Sequence, residues 1–174
     1  MPDAAGGPAP VPDVLHITFI CSGNICRSPI AEKMFAHQLG ERGLADVVRV
    51  TSAGTGGWHE GEPADRRAGL VLRAHGYPSA HRATQMHDDH LSADLVVALG
   101  RNHLRMLQYE GVPAERLRML RSFDPKSGAH ALDVEDRQWD RGSDGVGGAS
   151  GALVSGTEHG GSGQDGEGSM KQFH

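Results

Sequence analysis

Cys21-Ser22-Gly23-Asn24-Ile25-Cys26-Arg27-Ser28 places a thiol and a guanidinium at C-x5-R-S spacing, with a glycine between them. A glycine-containing loop that runs into a helix N-terminus turns backbone N–H groups and the positive end of the helix dipole toward a bound anion. The N–H groups from Ser22 through Gly23, Asn24, Ile25, Cys26 and Arg27 are therefore the candidate phosphate donors. The same field favours a thiolate, so Cys21 is the candidate nucleophile. Arg27 can hold two phosphoryl oxygens through its planar fork and stabilise charge in the transition state. The chemistry implied is hydrolysis of a phosphate monoester through cysteine. The contrary reading, a small buried cysteine beside a surface arginine, would prevail for an isolated C-x5-R. Here the flanking elements agree with the loop.

Those elements follow from pattern. Residues 14–20 form a mostly apolar, β-branched run with almost no alternation, which predicts a parallel strand buried on both faces. Ser28-Pro29 offers a cap followed by a proline suited to a first helical turn, and Ile30, Met34, Phe35 and Leu39 recur at helical spacing for about three turns, closed by Gly40 or Gly43. Residues 47–53 predict a second strand, 63–75 a helix ended by Gly76, 94–99 a third strand, 101–110 a helix before Gly111, and 118–120 a short fourth strand. Strands alternating with helices imply an α/β fold, a four-stranded parallel sheet with flanking helices. Its ligands bind beyond the carboxyl ends of strands, and Cys21 sits at such an end.

The chain has 174 residues and a formal net charge of -5, which suits one domain of ordinary soluble character. Residues 1–13, rich in proline, read as a flexible leader without the basic start or apolar stretch of a signal peptide. No window is apolar enough to span a membrane, so no membrane partner is expected. The acidic balance gives no pull toward nucleic acid, and Arg101, Arg105, Arg116, Arg118 and Arg121 read as a solvated face. With only Cys21 and Cys26, a disulfide framework is excluded and the reducing cytoplasm is the default location, export without a signal peptide being left open. The histidines show no ligand spacing with the cysteines, and His87 with His90 is only an i, i+3 pair, so no metal or other cofactor is expected. From about residue 137 glycines punctuate a stretch with few large apolar residues, which predicts disorder over 137–174.

The run from Ile20 to Glu32 resembles the signature of the low-molecular-weight protein tyrosine phosphatases, most closely the actinobacterial, mycobacterial-type members. The likeness extends over about 14–136, taken as the phosphatase domain, through Thr51-Ser52-Ala53-Gly54-Thr55, His75-Gly76-Tyr77-Pro78, His81-Arg82-Ala83 and Ser122-Phe123-Asp124-Pro125. The resemblance implies a phosphocysteine on Cys21, Arg27 as phosphate clamp, and Ser28 as a donor that steadies the departing thiolate. It implies that Asn24 adopts a strained conformation held by Ser52 and His81. It matches Trp58 to a residue lining the substrate groove, the alternative being a core position. It matches Cys26 to a loop cysteine that protects the nucleophile from over-oxidation, the alternative being structural burial. Phosphotyrosine proteins are the implied partners, and the chain is expected as a monomer or weak dimer.

The same resemblance makes Asp136 the general acid. The family's proline and two aromatics are replaced here by Arg137-Gln138-Trp139, leaving Trp139 as a partial substitute. A misplaced acid would forfeit about 10²- to 10⁴-fold in rate. The family's closing amphipathic helix has no counterpart between Gly142 and His174, an abrupt change that suggests a shifted reading frame. Gly100 stands where relatives often carry an acid near the loop. The alternatives are a catalytically weak phosphotyrosine-binding module and an arsenate reductase, the latter disfavoured because only Cys26 could relay oxidation.

Overall fold

The computed structural model describes residues 13–128 and 131–134. Four strands, β1 (Leu15–Cys21), β2 (Val48–Gly54), β3 (Leu95–Ala98) and β4 (Leu117–Met119), form one parallel sheet in the order β2-β1-β3-β4. β1 lies between β2 and β3, with Ile20 in register with both Ala53 and Ala98. That central place explains its sequence. Ile17 and Phe19 point to one apolar layer with Ala31, Val97 and Leu99, while Ile20 points to the other with Val96, Leu107 and Met119. After Leu15 every residue of the strand is buried. Burial of a side chain such as Ile20 or Leu107 contributes about 1.5 to 3 kcal/mol.

The helices are α1 (Arg27–Glu41), α2 (Arg66–Ala74), the single turn α3 (Asp88–Leu91) and α4 (Arg101–Tyr109). α1 packs on β1 and β2 through Ala31 and Phe35, and against α2 through Ile30, Met34, Ala68 and Leu72. None of these helices is long and apolar enough to cross a membrane.

Several boundaries differ from the sequence expectation for identifiable reasons. α1 begins at Arg27, and Ser28 is not its cap, because the Ser28 hydroxyl is turned to Cys21 instead. The helix runs through Gly40 for four turns and ends before Gly43, whose φ of 69° reverses the chain so that Leu44 N–H reaches the Leu39 carbonyl. α2 starts later than residue 63 because the Asp65 carboxylate accepts the Arg67 N–H at 2.9 Å and fixes the N-terminus. α3 went unforeseen. Its N-terminus is closed by His87 and His90, whose rings meet edge to face at 4.3 Å and whose side chains form a reciprocal capping box. The basic residues near β4 are occupied with backbone: Arg116 donates to the carbonyls of Leu91 and Ala93, and Arg118 to those of Ala114 and Leu117.

Candidate active site

The order β2-β1-β3 changes direction at β1, so the loop leaving β1 opens into the crevice where parallel α/β sheets bind ligands. Cys21 ends that strand and is almost completely buried. The loop crosses to α1 under close constraint. Cys21 and Ser22 carbonyls accept N–H groups from Thr55 and Gly56, and the Ile25 carbonyl accepts that of Asp65. Gly54 must lack a side chain here, because a Cβ would lie 2.6 Å from the Ser22 oxygen and 3.1 Å from the Gly23 carbonyl carbon. Among the described residues, the N–H groups of Ser22, Gly23, Asn24 and Ile25 have no protein acceptor.

Cys21 Sγ lies 2.9 Å from Ser28 Oγ. Ser28 Oγ also accepts a hydrogen bond from Asn24 Nδ2 at 2.9 Å; facing a Cys21 thiolate, which can only accept, it gives its single proton to Sγ, the Ala53 carbonyl being the more distant acceptor at 3.5 Å. The second Nδ2 proton of Asn24 goes to Ser52 Oγ, and Ser52 in turn donates to the Glu32 carboxylate in a short hydrogen bond. With Cys21 as the thiolate, a directional chain thus runs from Asn24 both to the sulfur and to Glu32. Glu32 is also paired with Lys33 at 2.8 Å.

Asn24 has φ 55°, the only positive φ outside glycine among the described residues, and is fully buried. Its Oδ1 accepts the Thr84 N–H at 2.9 Å and its carbonyl accepts His81 Nε2–H at 2.7 Å. The acceptor fixes the His81 tautomer. Burial lowers the His81 pKa, against the raising effects of the Asn24 hydrogen bond and of Glu32 near its other nitrogen, and keeps the ring neutral. Left-handed backbone at a non-glycine residue costs about 1 to 2 kcal/mol, and these bonds hold it in place.

Arg27 extends its fork between two supports, donating to Ser22 Oγ at 3.4 Å and to the Val134 carbonyl at 3.5 Å. Val134 belongs to a segment docked at the end of β3: its N–H binds the Leu99 carbonyl at 2.8 Å, and the Asp133 carboxylate accepts the Arg101 N–H at the start of α4. Gly100 faces this junction, where a Cβ would lie 3.2 Å from Asp133 Oδ1 and 3.3 Å from His103 Nδ1. Asp136 and Trp139 lie outside the described residues, as do the Gly-rich stretch 137–174 and the start of the leader.

Trp58 is 65% exposed, which removes the core alternative. It folds over Gly56, and its Nε1 would be 3.4 Å from a Cβ on Gly23, so the indole stands beside the loop. Cys26 is half-buried against the α1–α2 layer, and no disulfide joins it to Cys21. Among the described residues no three His, Cys, Asp or Glu side chains converge as metal ligands.

Sequence reasoning assigned no role to Glu32, Thr84, Val134 or His103. His103 Nε2 lies 2.8 Å from Ser22 Oγ. Glu32 stood inside the quoted motif at helical spacing from Ser28, a signal that could have been read. The others come from distant segments.

A family model described as low molecular weight phosphotyrosine protein phosphatase matches residues 16–145. The chain is 70% identical over 124 residues to low molecular weight protein-tyrosine phosphatase A of Mycobacterium tuberculosis, covering 71% of this chain and 76% of that protein. It is 48% identical over 126 residues to the low molecular weight protein-tyrosine-phosphatase of Streptomyces coelicolor, covering 70% and 76%. Among solved structures it is similar to the low molecular weight protein tyrosine phosphatase from T. tengcongensis, at 32% identity and a TM-score of 0.62, over 72% of this chain and 83% of that one.

Proposed function

We propose that this chain, which belongs to the low molecular weight phosphotyrosine protein phosphatase family, hydrolyses phosphotyrosine through a phosphocysteine on Cys21, with residues 14–136 as its catalytic unit. The observation that carries the reading is the Cys21 Sγ to Ser28 Oγ contact of 2.9 Å at the end of β1 and the start of α1. In the first step the Cys21 thiolate attacks phosphorus while the phosphoryl oxygens take hydrogen bonds from the loop N–H groups and from Arg27. The P–O bond to the tyrosyl oxygen breaks, and Asp136 gives that oxygen its proton. In the second step the Asp136 carboxylate takes a proton from water, the resulting hydroxyl forms a new P–O bond, and the P–S bond breaks to release inorganic phosphate.

Ser28 supports the second step, because its hydroxyl, held by Asn24, lies 2.9 Å from Sγ and donates to the thiolate as it leaves. The support for Asp136 is the docking of Val134 beside Arg27. Two residues of chain span at most about 7 Å, so an acid at 136 is within reach of the crevice. Trp58, exposed beside Gly23, offers a face to the substrate ring, and Trp139 offers a second aromatic. Cys26 is the thiol available for a reversible disulfide with an oxidised Cys21. Steady-state hydrolysis of an aryl phosphate, compared with an alkyl phosphate, tests the proposal. Turnover of the aryl ester that disappears in Cys21→Ser is expected, and undiminished turnover in that variant rejects the cysteine mechanism.

A further inference from the structure

We infer that His103 is a positioning residue of the phosphate-binding loop, holding Ser22 and, through Ser22, one arm of Arg27. This rests on the proposed hydrolysis at Cys21. His103 lies in the first turn of α4, 1% exposed, with its Nε2 2.8 Å from Ser22 Oγ. One turn further on, Leu107 is fully buried in the apolar layer under the sheet. An aliphatic residue at 103 would extend that layer, whereas an imidazole is costly to bury unless it is hydrogen-bonded. Its bond to Ser22 links α4 to the catalytic loop across 81 positions of sequence.

The proton inventory shows what the ring controls. Arg27 Nη2, 3.4 Å from Ser22 Oγ, can only donate, so Ser22 accepts from it. Ser22 then retains one proton and one lone pair. When His103 Nε2 accepts, the hydroxyl proton is drawn to the ring. When Nε2–H donates, that proton is left to turn toward a phosphoryl oxygen. In both cases the ring determines the orientation of Ser22 and the place where Arg27 rests. The other arm of Arg27 touches Val134, so the guanidinium is set by α4 through Ser22 and by the docked segment through the Val134 carbonyl.

The test is a double-mutant cycle on hydrolysis of an aryl phosphate, with inhibition by inorganic phosphate as the binding readout. His103→Leu and Ser22→Ala are each expected to lower kcat/KM about tenfold and weaken phosphate inhibition. The double variant is expected to lose no more than either alone, and His103→Gln, which keeps a hydrogen-bonding end, to stay within about threefold of the unaltered enzyme. Additive losses of about a hundredfold, or full activity in His103→Leu, would overturn the proposal. Should His103→Leu not fold, the imidazole nitrogen resonances of the unaltered enzyme decide. Saturating inorganic phosphate must shift the His103 Nε2 signal, assigned with His103→Gln, and Ser22→Ala must remove that response; a signal indifferent to phosphate overturns the proposal. Cys21→Ser measured alongside separates the two ideas. Turnover surviving there rejects the cysteine mechanism and this inference with it, while a cysteine-dependent enzyme indifferent to residue 103 rejects only the positioning role.

Discussion

Replacing Asn24 by alanine removes one side chain that serves backbone conformation, the nucleophile's support and the link to the neighbouring loop. The Thr84 N–H loses its acceptor, and an unsatisfied donor in a partly buried place costs about 1 to 3 kcal/mol. Ser28 and Ser52 each lose a donor but keep other partners, so together they add about 1 kcal/mol. Alanine at φ 55° adds about 1 kcal/mol of backbone strain. The sum is about 3 to 5 kcal/mol, a large share of the 5 to 15 kcal/mol by which a domain is usually stable. Urea denaturation at neutral pH measures it. Asn24→Gly separates the contributions, since glycine relieves the strain but restores no hydrogen bond. It should be more stable than Asn24→Ala by about 0.5 to 1 kcal/mol and still well below the unaltered protein. A loss under 1 kcal/mol in Asn24→Ala, or no advantage of glycine over alanine, would refute the reasoning.

A Cβ at Gly54 meets loop backbone at 2.6 Å whereas one at Gly40, inside α1, meets nothing within 4 Å; Gly54→Ala should cost about 1 to 3 kcal/mol with at least a tenfold loss of kcat/KM, and Gly40→Ala should stabilise by roughly 0.5 to 1 kcal/mol, both read from denaturation midpoints. Burial is the largest cause lowering the pKa of His16, His81 and His90, the last to about 4 from an ordinary 6.5. Unfolding therefore takes up protons below pH 6.5, so stability must fall with falling pH, His90 alone contributing about 2 kcal/mol of loss by pH 5. The lowered carboxylates of Asp89 and Asp124 act only below about 3.8, so a midpoint that is flat between pH 7 and 5 contradicts the buried neutral histidines. Asp136→Asn should reduce kcat on phosphotyrosine by about 10²-fold or more, and unchanged kcat removes Asp136 from the acid role.

The strand, the catalytic loop and the first helix were legible because they are contiguous, and each level of pattern agreed with the next. The buried run 14–20, the glycine-bearing turn and the apolar spacing from Ile30 to Leu39 led to β1 and α1 within a residue or two. Ser28 was misjudged as a cap because serine before proline at a helix start is a strong local signal; a tertiary demand, the thiol of Cys21, claimed its hydroxyl instead. The sheet order was implied only in kind, since which strands flank β1 depends on crossover paths that periodicity does not encode. Thr84, Val134 and His103 were illegible for the same reason. They meet the loop from 60, 107 and 81 positions away, and nothing in their local sequence marks a hydrogen bond to Asn24, Arg27 or Ser22. The short helix α3 is held by a reciprocal histidine cap that composition alone would not suggest.

The most direct test of the central claim is to mix the enzyme with an aryl phosphate, quench within a single turnover and weigh its peptides. The account predicts the mass of one phosphoryl group on the peptide that carries Cys21, lost on longer reaction, absent from Cys21→Ser, and accumulating in Ser28→Ala because departure of the thiolate is slowed. Turnover with no phosphoryl group on that peptide at any time would contradict it.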